Sequence, residues 1–207
     1  PKGVTAFGIL DVTDMGRDAA MGILRSAPIE DLRVEVVGQS VMGFVGTGGH
    51  MFKLGDIRVA LMVEHTLRGL FRGARKLLGD DAGAAFLYYA GLTSGLEFGE
   101  AYMKHFKDPR MTIWAFAETV KSDGYATDVT ILEGEDRYRI EVRDYLECEL
   151  LSDYAAGKGG RMRTSHWGRG YIAGILSATR GGEWDVEEVE CINDGSDKCA
   201  FEARRKK

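Results

Sequence analysis

The chain has 207 residues, 44% apolar and 29% charged, with a net charge of −5. Those proportions suit a globular protein with a core of its own, and the acidic balance argues against a general nucleic-acid binder, which would carry a basic surface. No run approaches the roughly 20 consecutive apolar residues of a membrane span, so the expectation is a protein that neither spans a membrane nor binds nucleic acid directly.

The opening PKGVTAFGILDV has no basic segment leading into a long apolar one, so it is not read as a secretory leader. Three cysteines form an odd count without framework spacing, which points to a reducing, cytoplasmic setting. Residues 1–55 read as an irregular N-terminal extension or dimerisation layer. Asp14 to Ser26 suits a short helix ended by Pro28, and Leu32 to Val37 alternates like a strand. MGFVGTGGH (42–50) reads as a connector, because a phosphate loop needs a Lys-Ser/Thr pair and a following helix.

A helical pattern begins at Ile57 and runs to a stop at Gly79, with apolar residues such as Val63, Leu67, Leu70, Phe71, Ala74 and Leu78 near helical spacing. A second helix follows to Phe106, and Gly91, Gly95 and Gly99 lie four apart along it. Glycine inside a helix costs about 1 kcal/mol against alanine, so this stripe predicts close approach of another backbone or of a ligand, with helix against helix the favoured reading. Pro109 opens a third helix. After Gly124 the period becomes two, with strands joined near Glu133 to Asp136. The second strand is read through to Leu150, placing Cys148 on its core face. A loop (155–163), a helix from His166 to Gly181 and a C-terminal hairpin complete the chain. Helices, then strands, without repeated βαβ units, predict α+β with an antiparallel sheet packed against helices.

The hairpin reads VEEVECINDGSDKCAFEA. Centred on Gly195, it pairs Cys191 with Cys199 and Val189 with Phe201, all on one side. Facing thiols can be core filler, a disulfide or half a metal site. Zinc and iron accept thiolate, imidazole and carboxylate, so Cys148, His166 and Glu188 are further candidates. Simple alternation turns Glu188 away from Cys191, and its participation requires a bulge or the strand's start. His50, His65 and His105 read as structural or solvated.

Glu188 to Cys191, Asp194 to Asp197 and Cys199 to Phe201 together resemble the C-terminal signature of the V4R (4-vinyl reductase) domain. Gly170-Tyr171-x-x-Gly174 is similar to the helix that precedes it in that family, and Leu87 to Gly95 to an earlier glycine helix. The resemblance implies a V4R domain over 56–207 with a Bet3-like fold. It also implies a non-catalytic module that binds a hydrophobic, aromatic or tetrapyrrole-like small molecule, as carrier or sensor and as a homodimer. A structural Zn2+ held by one glutamate and three cysteines is implied too. Glu188, Cys191 and Cys199 fall on three of those ligands. The fourth falls on Ser165, which leaves His166 or Cys148 to complete the shell. The implied pocket draws on Trp114, Ile140, Val142, Tyr171, Ile175 and Val186. The family's phenol-holding histidine and tryptophan have no counterparts here, which favours a larger or more apolar ligand.

An enzyme or accessory acting in tetrapyrrole vinyl reduction is a second reading, although no dinucleotide fingerprint follows a strand. A Bet3-like assembly platform is a third. Because no ATPase or DNA-binding domain follows within the 207 residues, a sensor of this kind is expected to signal through a partner.

Overall fold

The computed structural model describes residues 17–26, 52–54, 57–60, 62–134, 136–160 and 162–206. The expected strand at 32–37 and the glycine-rich connector at 42–50, with His50, lie outside them. The chain divides into two compact units, Pro1–Leu61 and Met62–Lys207.

The first unit contains helix α1 (Arg17–Arg25), within the stretch expected to be helical, and an antiparallel pair, β1 (Phe52–Leu54) with β2 (Ile57–Val59). The β2 strand corrects the expected helix start. Ile57 to Val59 is a strand, and α2 begins only at Glu64 (Glu64–Leu78). The β-branched Ile57 and Val59 suit an extended backbone better than a helical turn.

The second unit opens with α2 and α3 (Asp80–Phe106), separated by Gly79 at φ +84°, a conformation available cheaply only to glycine. Helix α4 (Pro109–Ser122) starts with proline in its first turn, and Asp108 accepts a hydrogen bond from the Arg110 N–H at 2.8 Å. Four antiparallel strands follow: β3 (Asp128–Glu133), β4 (Arg137–Arg143), β5 (Trp184–Glu190) and β6 (Cys199–Arg205), in the order β3-β4-β6-β5. Between β4 and β5 come short helices α5 (Leu146–Leu150) and α6 (Ser152–Gly157), then α7 (His166–Arg180). This is the expected α+β arrangement.

Two helices, α3 and α7, interlock along their glycines. A Cβ on Gly95 would lie 2.9 Å from the Tyr171 carbonyl carbon, and one on Gly91 the same distance from that of Trp167. From the other side, a Cβ on Gly170 would lie 2.8 Å from the Leu92 nitrogen, and one on Gly174 2.6 Å from that of Leu96. The stripe is therefore a backbone-to-backbone contact between helices, as its spacing predicted. Helix α7 carries the apolar face of the sheet: Ile172, Ile175 and Leu176 pack with Ile140, Val142 and Phe201 in one core cluster.

Two expectations about the strands change. β4 ends at Arg143, where Asp144 adopts φ +51°, and the chain turns into α5. Cys148 therefore sits on a short helix and not on a strand. Asp is among the residues that tolerate this left-handed conformation, which is why the break falls there. The hairpin register also differs. Glu188 pairs with Phe201 and Glu190 with Ala200, a bulge at Val189 replacing the expected Val189–Phe201 pair. One extra residue on a strand reverses the facing of what precedes it. Glu188 consequently points inward with Trp184 and Val186.

Candidate metal centre and ligand site

Four acidic side chains converge where β5, β6 and α5 meet. Cys199 opens β6 opposite Val142 at the end of β4, and Cys191 follows the bulge at the end of β5. The break at Asp144 carries Cys148 beneath them, and the bulge turns Glu188 toward the same point. The ligand atoms of Cys148, Glu188, Cys191 and Cys199 all lie within 4.8 Å of one another, and each residue is buried. Cys148 Sγ is 3.2 Å from Cys199 Sγ, 3.5 Å from Cys191 Sγ and 3.6 Å from Glu188 Oε1.

Hydrogen bonds hold this group from outside. Ser165 donates from its N–H to Glu188 Oε2 (3.0 Å) and from its hydroxyl to Oε1 (2.7 Å), and its hydroxyl lies 2.8 Å from Cys148 Sγ. The turn is a single 3-10 winding, Ile192–Asp194, released by Gly195 at φ +100°. From it Asn193 donates to the Cys148 carbonyl (2.8 Å) and to the Thr164 hydroxyl (3.0 Å). Ser165, the position where the fourth ligand was counted, thus stands beside the group as a hydrogen-bonding partner.

The electrostatics of the group are those of a site short of positive charge. Burial pushes the Glu188 carboxyl up to about 8, and the neighbouring Cys191 sulfur adds to the shift. Cys191 is held far below the ordinary thiol range by hydrogen bonds from Cys148 and Cys199, and the Cys148 thiol is pushed up by the same contact. A bound cation reverses this logic and deprotonates a coordinating thiol outright. The donor set also fits in size. Tetrahedral zinc, with bonds of roughly 2.0–2.3 Å, needs ligand atoms about 3.3–3.8 Å apart, close to the 3.2–3.6 Å separations around Cys148 Sγ.

His166 is not a member of the group. It sits half-buried in the first turn of α7, where burial, then the charges of Arg75 and Arg169, lower it to about 4. Two buried polar residues nearby were not anticipated. Glu147 accepts from the Trp167 and Gly168 N–H groups at 2.9 Å each, capping α7 through its first-turn amides. Burial holds its carboxyl at about 7 against those bonds. Strand alternation with Cys148 facing the core would turn Glu147 to the opposite side, and the turn at Asp144 undoes that. Arg75 reaches the Thr164 carbonyl at 3.4 Å and lies over the Tyr154 ring. Its position four residues after the buried Phe71 was the available signal.

The V4R domain model matches residues 140–205, from β4 to the end of β6. Residues 140–205 are thus similar to a V4R domain. The matched stretch contains all four members of the buried group. The fold is also similar to that of the phenol-responsive sensory domain of the transcription activator PoxR, solved with phenol. That likeness has a TM-score of 0.62 at 19% identity, covering 74% of this chain and 79% of that one. A vinyl-4-reductase family protein from Methanocaldococcus jannaschii gives 0.50 at 20% identity, over 72% and 85% of the two chains. A trafficking protein particle complex subunit 3 from Naegleria fowleri, covalently bound to palmitic acid, gives 0.46 at 16% identity over 70% and 95%. That likeness is too loose to take the Bet3 comparison further. No curated protein matches the chain significantly.

The helix-facing side of the four-stranded sheet is apolar. A small void of about 10 Å³, room for roughly one water, lies there between Ile113, Phe116, Ile140, Ile172, Ile175 and Leu176. Of the residues expected to form a pocket, Ile140 and Ile175 line this void. Val142 and Val186 are buried in the same core cluster, and Tyr171 packs against it beside Phe98 and Phe116. Trp114 stands apart, 55% exposed, in an open groove of about 460 Å³ between α4 and β3. No described helix is long and apolar enough to cross a membrane.

Proposed function

We propose that this V4R domain is a binding module for an apolar or aromatic small molecule, stapled by a structural zinc ion, acting as a sensor or carrier. The observation that carries the reading is the open groove of about 460 Å³ between α4 and β3, which shares Ile113, Ile131 and Tyr138 with a one-water void in the apolar core. Its fold likeness to a sensory domain solved with phenol supports the same class of function. Cys148, Glu188, Cys191 and Cys199 would hold the ion. It would join α5, β5 and β6 at the sheet's end and neutralise a buried cluster of acids, a purely structural service. Thermal-shift measurements against a panel of aromatic and aliphatic small molecules test the reading. A saturable rise in Tm with at least one compound class is expected, and none across the panel would overturn it.

A second copy of the chain is the partner we propose. Leu70 and Leu77, seven residues apart on α2, are both more than half exposed and share a helical face. Sedimentation equilibrium that finds only monomers would remove this part of the reading.

A further inference from the structure

Groove and void are walled by three residues in common, Ile113, Ile131 and Tyr138. The groove is thus the outside of the same apolar space. It opens at β3, one of the two edge strands, where no further strand among the described residues covers the sheet. Side chains of α4 and β3, with Tyr138 of β4, line this edge.

The rim of this opening is polar in one specific way. Glu133, the last residue of β3, accepts from the Tyr138 hydroxyl at 3.0 Å. The same carboxylate pairs with Arg110 Nε of α4 at 3.3 Å and with Arg180 Nη2 at the end of α7. Two guanidiniums therefore share one carboxylate, and Arg180 Nε is buried without a partner among the described residues. The other acid of the groove, Glu118, is occupied by Lys121 at 2.8 Å. One positive charge is left over at the mouth, with guanidinium donors in the geometry that suits a carboxylate or similar oxyanion.

Resting on the small-molecule reading above, we propose that the α4–β3 edge is the mouth of the ligand site. Its occupant is amphipathic: an aromatic or aliphatic body with one anionic end. The body lies along Trp114, Ile113 and Ile131, and the anion takes the place of Glu133 between Arg110 and Arg180. Glu133 acts in the free protein as the internal anion that holds α4 against β3. Displacing it loosens that edge and opens the way toward Ile140 and Ile175.

Two fluorophores with the same ring system test this: anilinonaphthalene sulfonate, an anion, and phenylnaphthylamine, which is neutral. Each is titrated into wild type, Glu133→Gln, Arg110→Glu and the double variant Arg110→Ala/Arg180→Ala. The wild type is expected to bind the sulfonate about tenfold more tightly, equivalent to about 1.4 kcal/mol. The double variant brings that ratio to about one with the amine unchanged, and Glu133→Gln raises sulfonate affinity several-fold by removing the competitor. Arg110→Glu, at a side chain 77% exposed and so safe for folding, reverses the preference. Equal binding of both fluorophores by the wild type, or a sulfonate preference that survives in the double variant and in Arg110→Glu, overturns the mouth and leaves the small-molecule reading standing. Binding of neither fluorophore counts against that reading, and the mouth falls with it.

Discussion

Replacing glycine by alanine should have opposite effects at two helical sites of this chain. At Gly73, exposed in α2, an added Cβ meets nothing within 4 Å. Gly73→Ala should therefore return only the helix-propensity gain, up to about 1 kcal/mol. At Gly95 the same propensity gain is offered, but the Cβ would sit 2.9 Å from the Tyr171 carbonyl carbon and 3.0 Å from its Cα. Both are backbone atoms, so no rotamer change relieves the clash and α3 must move away from α7. Ordinary contact begins near 3.4 Å, and the carbonyl oxygen is closer still than the carbon. Moving the helices apart also opens the neighbouring contacts at Gly91, Gly170 and Gly174, where a gap of 0.5–1 Å forfeits about a quarter to a half of the dispersion energy. Overpacking of this kind costs about 1–3 kcal/mol or more, which outweighs the propensity gain. At about 2–4 °C per kcal/mol for a domain near this size, Gly95→Ala should lower Tm by several degrees while Gly73→Ala raises it slightly. Differential scanning calorimetry on the two single variants decides it. A Gly95→Ala protein as stable as wild type would refute the interlocked-helix reasoning.

Other predictions concern the buried acids. Cys148→Ala should release the metal and lower Tm, whereas His166→Ala should leave metal content unchanged, as read by elemental analysis after gel filtration. Treatment with a strong chelator should destabilise the wild type, by about 2.7 kcal/mol where free metal stood a hundredfold above Kd, and leave Cys148→Ala unaffected. Glu147 gives a pH slope. Burial holds its folded-state carboxyl at about 7, above the ordinary glutamate value of 4.5, so its contribution is fully present below pH 4.5 and lost as pH rises through 7. The loss is on the order of 3 kcal/mol. Chemical denaturation at pH 5 and pH 8 should show that slope, and Glu147→Gln should flatten it.

The parts of the fold carried by repeating local chemistry were legible in the sequence. Gly79, Pro109 and the Gly181-Gly182 pair mark helix ends because backbone sterics act there without help from distant residues. The stripe at Gly91, Gly95 and Gly99 announced a close helix because nothing local justifies its cost. Legibility failed where one residue changes the period. Asp144 turns the chain out of β4 and so moves Cys148 and Glu147 from strand positions to a short helix. The bulge at Val189 brings Glu188 to the same face as Cys191, which alternation alone forbids. Both events lie inside the candidate metal site. Its residue types could therefore be named in advance, while their assembly depends on two irregularities whose stability comes from the tertiary contacts they create. Arg75 and Ser165 belong to the same class, since what they touch is supplied by residues 89 and 23 positions away.

The central claim is that Cys148, Glu188, Cys191 and Cys199 are metal ligands, and the most direct measurement is native mass spectrometry of the protein as isolated, without added metal. The account predicts about one zinc per chain, with all three thiols unreactive to a thiol reagent until a chelator is added. Less than about 0.2 metal ions per chain, with three freely titratable thiols, would contradict it, because structural sites of this kind hold their ion as part of the fold.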